Sequence, residues 1–264
     1  MIDRDLLISA VGAWVGNCLI FDQLDSTHFF ARRLMEQVDT EDIPISPTLI
    51  LAESQSGGIG RAQRTWSSES GGLYFNVVWS LADPSCIAQL PMLAAATIHQ
   101  AVTAVGVKDA AVKWPNDILV HGRKLGGVLI HALHGARLLG TVGVGINITE
   151  TPDLSDIPGL AATSLADILG PGDADERSTT LITTFLERFT KSLHNPEPTV
   201  EHWKAHLIHT EGETISLTTS SGQSISGTYS GVNSAGHLMM QTSDGLKTLT
   251  GGDIVEEDEN RETR

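Results

Sequence analysis

Residues 111–131 read AVKWPNDILVHGRKLGGVLIH, and the fold of the chain turns on how this stretch is read. Val112-Lys113-Trp114 is a short apolar approach to a turn at Pro115-Asn116-Asp117. Proline fixes its own φ, and Asn and Asp side chains bond back to nearby backbone. Residues 118–120 and 128–130 are β-rich runs joined through a His121-Gly122-Arg123 turn, the pattern of a hairpin. Lys124 opens the second strand, and Leu125-Gly126-Gly127 follow. Glycines inside a strand weaken it, and they mark a bulge or a close approach of a ligand to the backbone. The hairpin so predicted carries an amide and a carboxylate at one end and a lysine beside a strip without side chains. An ordinary hairpin with a solvated lysine would have the same local pattern, so its function has to come from context.

Upstream, residues 47–53 form a strong strand that runs into Gln55-Ser56-Gly57-Gly58-Ile59-Gly60-Arg61-Ala62-Gln63-Arg64-Thr65-Trp66. No Gly-Lys-Ser/Thr follows, so this is not a Walker A loop. A third glycine is missing from the expected place for a dinucleotide-binding turn, and the next element is a strand at 73–79 rather than a helix. A loop that offers backbone N–H groups and two guanidinium groups suits a carboxylate or a phosphate. A flexible surface loop is the other reading.

Before that loop, helical spacing covers 3–15, a strand candidate covers 18–24, and Asp25-Ser26-Thr27 opens a helix with Phe29, Phe30 and Leu34. The hydroxyls there are either plain caps or, with the free N–H groups of the helix end, a seat for a polar ligand. Downstream come an alanine-rich helix at 87–105, a strand at 136–148 ending in Gly143-Val144-Gly145-Ile146-Asn147, and helices at 163–169, 179–193 and 200–207. His202, His206 and His209 are helically spaced and could ligate a metal, but without an HExxH motif a solvated helix face is the expected arrangement. From Thr214 the pattern becomes short strands at 215–217, 225–229, 237–241 and 246–250, with Ser-Gly, Ala-Gly and Asp-Gly turns. Such spacing predicts a small barrel. The acidic run Glu256-Glu257-Asp258-Glu259 reads as a frayed end.

Composition bounds the function. The 264 residues allow one large domain and a small one. The formal net charge of −15 argues against a nucleic-acid surface, and it forces any phosphate site to be a local island of cations and N–H groups. No apolar run spans a membrane, the acidic start Met1-Ile2-Asp3-Arg4-Asp5 does not open a secretory signal, and Cys18 and Cys86 form no disulfide framework. The expected setting is the cytoplasm.

With the loop and the hairpin both in view, most of the chain resembles the catalytic portion of biotin–protein ligases. Asp25-Ser26-Thr27 is similar to the family's Ser-Thr motif, and 53–66 to its glycine- and arginine-rich biotin loop. Lys113-Trp114-Pro115-Asn116-Asp117 and Arg123-Lys124-Leu125-Gly126-Gly127 resemble its two most recognisable motifs, and Gly143-Val144-Gly145-Ile146-Asn147 and the terminal β unit complete the order. The resemblance implies an α+β fold: a mixed central β-sheet with flanking helices, like class II synthetases and lipoate ligases, and a small SH3-like C-terminal β-barrel. The implied domains are 1–210 (catalytic) and 211–258 (SH3-like), with a charged tail at 259–264. The implied chemistry is biotin plus ATP to biotinyl-AMP and pyrophosphate, followed by transfer to a lysine of a biotin carboxyl carrier domain of an acyl-CoA or pyruvate carboxylase.

By the same resemblance, Ser26, Thr27, His28 and Gln55, with backbone at Gly58, Gly60 and Arg61, hold the ureido end of biotin. Lys124 bridges the biotin carboxylate and the α-phosphate, and Gly126-Gly127 let the ligand lie on the strand. Arg61, Arg64, Trp66, Lys113, Asn116 and Asn147 serve ATP and its Mg²⁺, and Asp117 orients or deprotonates the acceptor lysine. Lys124, Arg61 and Asp117 are therefore the expected catalytic residues, with neither a resident metal nor a tightly bound prosthetic group. The chain departs from the family at His28, usually Asn, at Ile59, usually Arg, and at Gln63, usually Gly. One ligand-facing guanidinium is thereby absent, and the loop is expected to stay mobile until ligand orders it. The first strand starts within about twenty residues of Met1, which leaves no room for the winged helix of the repressor members. Operator binding is thus not expected, and the chain should be a monomer or weak homodimer. A lipoate or octanoate ligase and a degenerate, non-catalytic ligand-binding module are the competing readings.

Overall fold

The structure is a computed structural model that describes residues 2–153, 161–219 and 222–255. The charged tail expected at 259–264, and the expected end of the C-terminal unit at 258, lie outside the described residues. Helix α1 (Arg4–Val11) starts at Asp3, whose carboxylate accepts from the Leu6 N–H at 3.0 Å. It is shorter than the 3–15 expected because Gly12 closes it. Strand β1 (Asn17–Leu24), helix α2 (Thr27–Thr40) and strand β2 (Thr48–Gln55) follow. The two strands pair in parallel, with Leu24 opposite Gln55, so the helix between them serves as the crossover that parallel pairing requires.

Strand β3 (Gly72–Ser80), helix α3 (Leu90–Ala104), strands β4 (Ala110–Lys113), β5 (Asp117–Val120), β6 (Arg123–His134) and β7 (Leu138–Asn147) complete a seven-stranded sheet in the order β1-β2-β3-β7-β6-β5-β4. All pairings other than β1·β2 are antiparallel. The hairpin turn is His121-Gly122 alone, with φ of 50° and 72°. Positive φ at both central residues is the tight primed turn whose twist suits adjoining strands, so Arg123 falls inside β6 rather than in the turn. The apolar approach to residue 113 is itself the edge strand β4, which periodicity could not show because it has four residues.

Helices α4 (Leu165–Leu169), α5 (Ala174–His194) and α6 (Glu197–Ala205) follow the sheet. Ser164 and Asp167 form a reciprocal capping box, which is why α4 begins two residues later than expected. One face of the sheet, through Leu49, Leu51, Phe75, Val77, Val142, Val144 and Ile146, packs on α3, α5 and α6 in the main core. The opposite face, through Ile50, Val78 and Leu139, packs on Ala31, Met35 and Val38 of α2. Alternate residues of a strand point to opposite faces, so β7 divides cleanly: 142, 144 and 146 enter the main core, while 139, 141, 143, 145 and 147 face the α2 side.

The C-terminal unit is an antiparallel sheet of β8 (Thr214–Thr218), β9 (Ser224–Val232), β10 (Leu238–Thr242), β11 (Gly245–Leu249) and β12 (Asp253–Val255), in the order β11-β10-β9-β8-β12. Gly236 and Gly245, at φ of 77° and 107°, supply the Ala-Gly and Asp-Gly turns. About five short strands are expected here, but β12 is not among the ranges read from sequence: three residues after two glycines have no readable alternation. The smaller unit is tied to the larger at Trp114, whose indole N–H donates to the Gly236 carbonyl at 2.9 Å.

Candidate active site

The α2 side of the sheet holds a cavity of about 670 Å³, where α2 leaves the ends of β6 and β7 uncovered. Its floor is a strip of glycines. Gly127 of β6 pairs with Gly145 of β7, and Leu129 with Gly143. A Cβ on Gly145 would lie 2.7–2.9 Å from the Trp66 indole, so the absent side chain makes the bed for that ring. Gly126 answers a different need: a Cβ there would meet the Gly145 carbonyl at 2.5 Å, which is packing between strands and not room for a ligand. The pairing of β5 with β6 shifts between Ile118 and Leu119, the bulge that the glycines announced.

At one end of the cavity, Ser26 caps α2, its hydroxyl accepting from the His28 N–H at 3.2 Å. The parallel register of β1 and β2 brings Gln55 to this helix end. Its Oε1 accepts from both the N–H and the hydroxyl of Thr27, at 2.7 and 3.0 Å, and its Nε2 donates to Ser68 at 2.8 Å. Ser26 and Thr27 are buried, so this is a dry, pre-oriented polar set. His28, also buried, lines the same wall; burial, then His131 and Arg32, push its imidazole down to about 4, so it is neutral at physiological pH.

The glycine- and arginine-rich loop is a small closed hairpin. Ile59 bridges Thr65, Gly60 N–H donates to Arg64 O at 2.7 Å, and Trp66 N–H donates to Gly58 O at 2.9 Å. Gly58 lies beneath it, where a Cβ would strike Ser68 and the Trp66 carbonyl, and it is not among the cavity-lining residues. At the tip, Ala62 and Gln63 take φ of 52° and 63°. Left-handed backbone is costly for residues with a Cβ, and Gln63 stands where the resemblance leads one to expect glycine.

The cations converge on the other end. Lys124 Nζ lies 2.7 Å from Asp117 Oδ2, both side chains about a fifth to a quarter exposed, and 5.3 Å from the Trp66 ring centre. Asp117 and Lys124 come from strands on either side of the bulge, and Gly127 clears the space beside them. Arg61 donates to Asn116 Oδ1 and to the Gly252 carbonyl, each at 2.9 Å, and its guanidinium is 3.6 Å from Asp253. Arg64 reaches the other oxygen of Asp253 at 2.6 Å. Lys113, at the end of β4, also lines the cavity. Arg61, Arg64, Lys113 and Lys124 against Asp117 and Asp253 make the positive island that a chain of net charge −15 needs if it is to hold phosphates.

Two expected phosphate residues have other partners in this structure. Asn116 donates to Val128 O at 2.6 Å and accepts from Arg61. Asn147 donates to Thr163 O at 2.9 Å, and so fixes the segment whose Ala161 carbonyl and Thr163 N–H bind the backbone of Lys124. Both line the cavity, and both position a cation or its backbone. Asp253 was missed by sequence reading; Gly251-Gly252 before it was the only local signal. Among histidines, 202, 206 and 209 do not form a solvated face. His202 and His206 are half-buried against His99 of α3, while His209 lies after the helix, its ring 5.8 Å from that of Tyr229.

Residues 21–147 match the biotin/lipoate A/B protein ligase family. Over 254 residues the chain is 28% identical to the bifunctional ligase/repressor BirA of Bacillus subtilis, covering 91% of this chain and 74% of that protein. Over 259 residues it is 27% identical to the biotin–[acetyl-CoA-carboxylase] ligase of Mycobacterium tuberculosis, covering 96% and 93%. The biotin protein ligase of Aquifex aeolicus in complex with biotin and ATP superposes with a TM-score of 0.71 at 25% identity, over 91% of this chain and 98% of that one.

Proposed function

We propose that the chain, which matches the biotin/lipoate A/B protein ligase family over residues 21–147, is an ATP-dependent biotin–protein ligase that forms biotinyl-5′-AMP and then biotinylates a lysine of a carboxyl carrier domain. One observation carries this reading: motifs that lie as far apart as Ser26 and Asn147 line a single cavity, polar and uncharged at one end and cationic at the other. A neutral urea suits the Thr27–Gln55 end, and a carboxylate meeting a triphosphate suits the Lys124–Arg61 end. A lipoate or octanoate tail offers nothing for the polar end to bind, and a non-catalytic binding module has no use for Lys113, Lys124 and Arg61 together.

In the first step a carboxylate oxygen of biotin bonds to the α-phosphorus of ATP, the bond to the β-phosphate breaks, and pyrophosphate leaves. Two anions must meet, so the barrier falls through positioning and charge stabilisation. Lys124 sits where it can hold the carboxylate and follow the charge onto the phosphoryl oxygens, while Arg61, Arg64 and Lys113 take the remaining phosphate oxygens. In the second step the acceptor amine attacks the acyl carbonyl, AMP leaves, and Asp117 orients the amine and accepts its proton. Mg²⁺ enters with ATP. The only carboxylates among the described lining residues are Asp117 and Asp253, both paired with cations, so the ion would be held chiefly by phosphates and water, as is usual for it. We assign the catalytic domain to 1–210 and the SH3-like domain to 211–258, and propose cytoplasmic action as a monomer or weak homodimer without a nucleic-acid or membrane partner. No described helix is long and apolar enough to cross a membrane.

The test is incubation with biotin, ATP and Mg²⁺ and mass spectrometry for biotinyl-AMP, with pyrophosphate release measured in parallel. Release that depends on biotin, and not on lipoate or octanoate, is expected. Equal turnover with lipoate would refute the assignment.

A further inference from the structure

His99 on α3 and His202 and His206 on and just after α6 each bring one ring nitrogen to within 4.8 Å of the others. His99 Nδ1 and His202 Nε2 are 3.0 Å apart. Ring centres are 4.1 Å apart for His202 and His206 and 4.3 Å for His99 and His206. The cluster lies at the far end of β4 from the cavity and includes none of its lining residues. We propose that these three imidazoles form a binding site for one divalent transition-metal ion, of which Zn²⁺ is the representative.

The hydrogen bonds fix which nitrogens are offered. A carbonyl only accepts, so His99 Nε2–H donates to Ala110 O at 2.9 Å and leaves Nδ1 with its lone pair. In the same way His206 Nδ1–H donates to His202 O at 2.7 Å and leaves Nε2 as the base. Ligating histidines are oriented by a carbonyl or carboxylate on the outer nitrogen in just this manner. His202 turns its Nε2 to His99 Nδ1, so in the metal-free protein a proton lies between them. On binding, His202 takes its proton on Nδ1 and presents Nε2 as the third donor, with no net release of protons. Burial first, then neighbouring charges, hold the His202 imidazole down at about 4, and His99 is lowered too.

Three nitrogens and no carboxylate select a borderline ion over Mg²⁺ or Ca²⁺, which take oxygen. Tetrahedral zinc with bonds of about 2.0–2.1 Å sets ligand atoms roughly 3.3 Å apart; the closest pair here is near that, and the half-buried His206 ring needs a small adjustment. The fourth position is left to water. Arg188 opposes a cation here, since its charge is felt at His202; the net charge of the chain favours one. The ion would join α3, α6 and, through the Ala110 carbonyl, the edge strand β4. His206 O accepts from Val112 N–H at 2.8 Å, so the same clamp fixes the chain just before it enters the C-terminal sheet.

The full chain, freed of metal, is titrated with Zn²⁺ alone, with Co²⁺ as a spectroscopic probe. Expected are one equivalent bound, visible Co²⁺ bands of tetrahedral intensity, and a higher Tm with Zn²⁺ but not with Mg²⁺. His202→Gln and His206→Gln, on half-buried rings, should each weaken binding about tenfold or more, with circular dichroism and biotinyl-AMP formation retained. His194→Gln, at the exposed end of α5, should bind as the parent does. No stoichiometric binding, or binding that survives either glutamine substitution, would show a packed trio of neutral histidines and overturn the proposal.

Discussion

Arg64 is paired with Asp253 at 2.6 Å, across 189 residues of sequence. The contact joins the tip of the loop over the cavity to the first residue of β12, and Arg61 approaches the other oxygen of the same carboxylate. Both guanidinium groups assigned to phosphate are thus held by a carboxylate from the C-terminal sheet. Arg64 is about two-thirds exposed, so the pair is weak in water, and a triphosphate can displace it.

Asp253→Asn should therefore loosen the loop. Stability should fall by no more than about 1 kcal/mol. Amide exchange at residues 58–66 should speed up in the ligand-free protein and return to the parent rate with biotin and ATP. Exchange that is unchanged without ligand would show that the latch does not hold the loop.

Lys124→Ala should lower biotinyl-AMP formation by on the order of 10²–10³, the usual loss for one well-placed stabilising donor. Folding should be nearly unchanged, because the side chain is at the cavity and, among the described residues, pairs with Asp117 and the Trp66 ring. Lys124→Arg should rescue incompletely, since the planar guanidinium needs more room than a compact ammonium. Arg123→Ala, on an exposed neighbour, is the control. If that control proves the more damaging change, the catalytic cation has been misassigned.

Gly145→Ala puts a methyl group against the Trp66 indole, 2.7–2.9 Å from its nearest atoms. The ring must move, and with it the surface under Lys124. A stability loss of about 1–3 kcal/mol is expected from the overpacking, with adenylation reduced more than the folded fraction explains. Activity that tracks folded protein would remove Trp66 from the site.

His28 is one of the buried histidines that make stability depend on pH. Its imidazole is held at about 4, against an ordinary 6.5, chiefly by burial. Between those values the unfolded chain takes up a proton that the folded chain excludes, so stability falls as pH drops from 6.5 towards 4 and is unaffected above 6.5. The contribution is on the order of 3 kcal/mol at the acid end. His28→Asn should remove its share of this part of the curve, leaving the slope due to His202, His99 and His131. Denaturant melts at about pH 7.5 and pH 5 measure it, and identical slopes in parent and variant would exclude His28 as the source.

The parts of the fold that could be read in the sequence were those with a local cause. Gly126-Gly127 announced the bulge, Asp25-Ser26-Thr27 the helix start, and the spacing of Leu181, Phe185 and Phe189 the buried face of α5. The parts that could not be read depend on register and docking. Nothing near Asn116 says that its amide belongs to Val128 and Arg61, and nothing near Asp253 says that two arginines 189 and 192 residues away will reach it. His99 sits in an alanine-rich helix whose pattern reads as pure core; only the packing of α6 shows what it faces.

The glycine floor also affects how occupancy can be measured. Trp66 covers Gly145 and Asn76 meets Gly143, while Gly127 opens the strand beside Asp117 and Lys124, so a bound ligand adds contacts along the cavity that the ligand-free protein lacks. Ligand that binds only the folded chain raises stability by RT ln(1 + [L]/Kd), about 2.7 kcal/mol at a hundredfold excess over Kd. The midpoint of thermal unfolding therefore becomes a gauge of how full the cavity is. It can rank biotin, ATP and the adenylate by affinity without a turnover assay, even in a Lys124→Ala protein that no longer reacts.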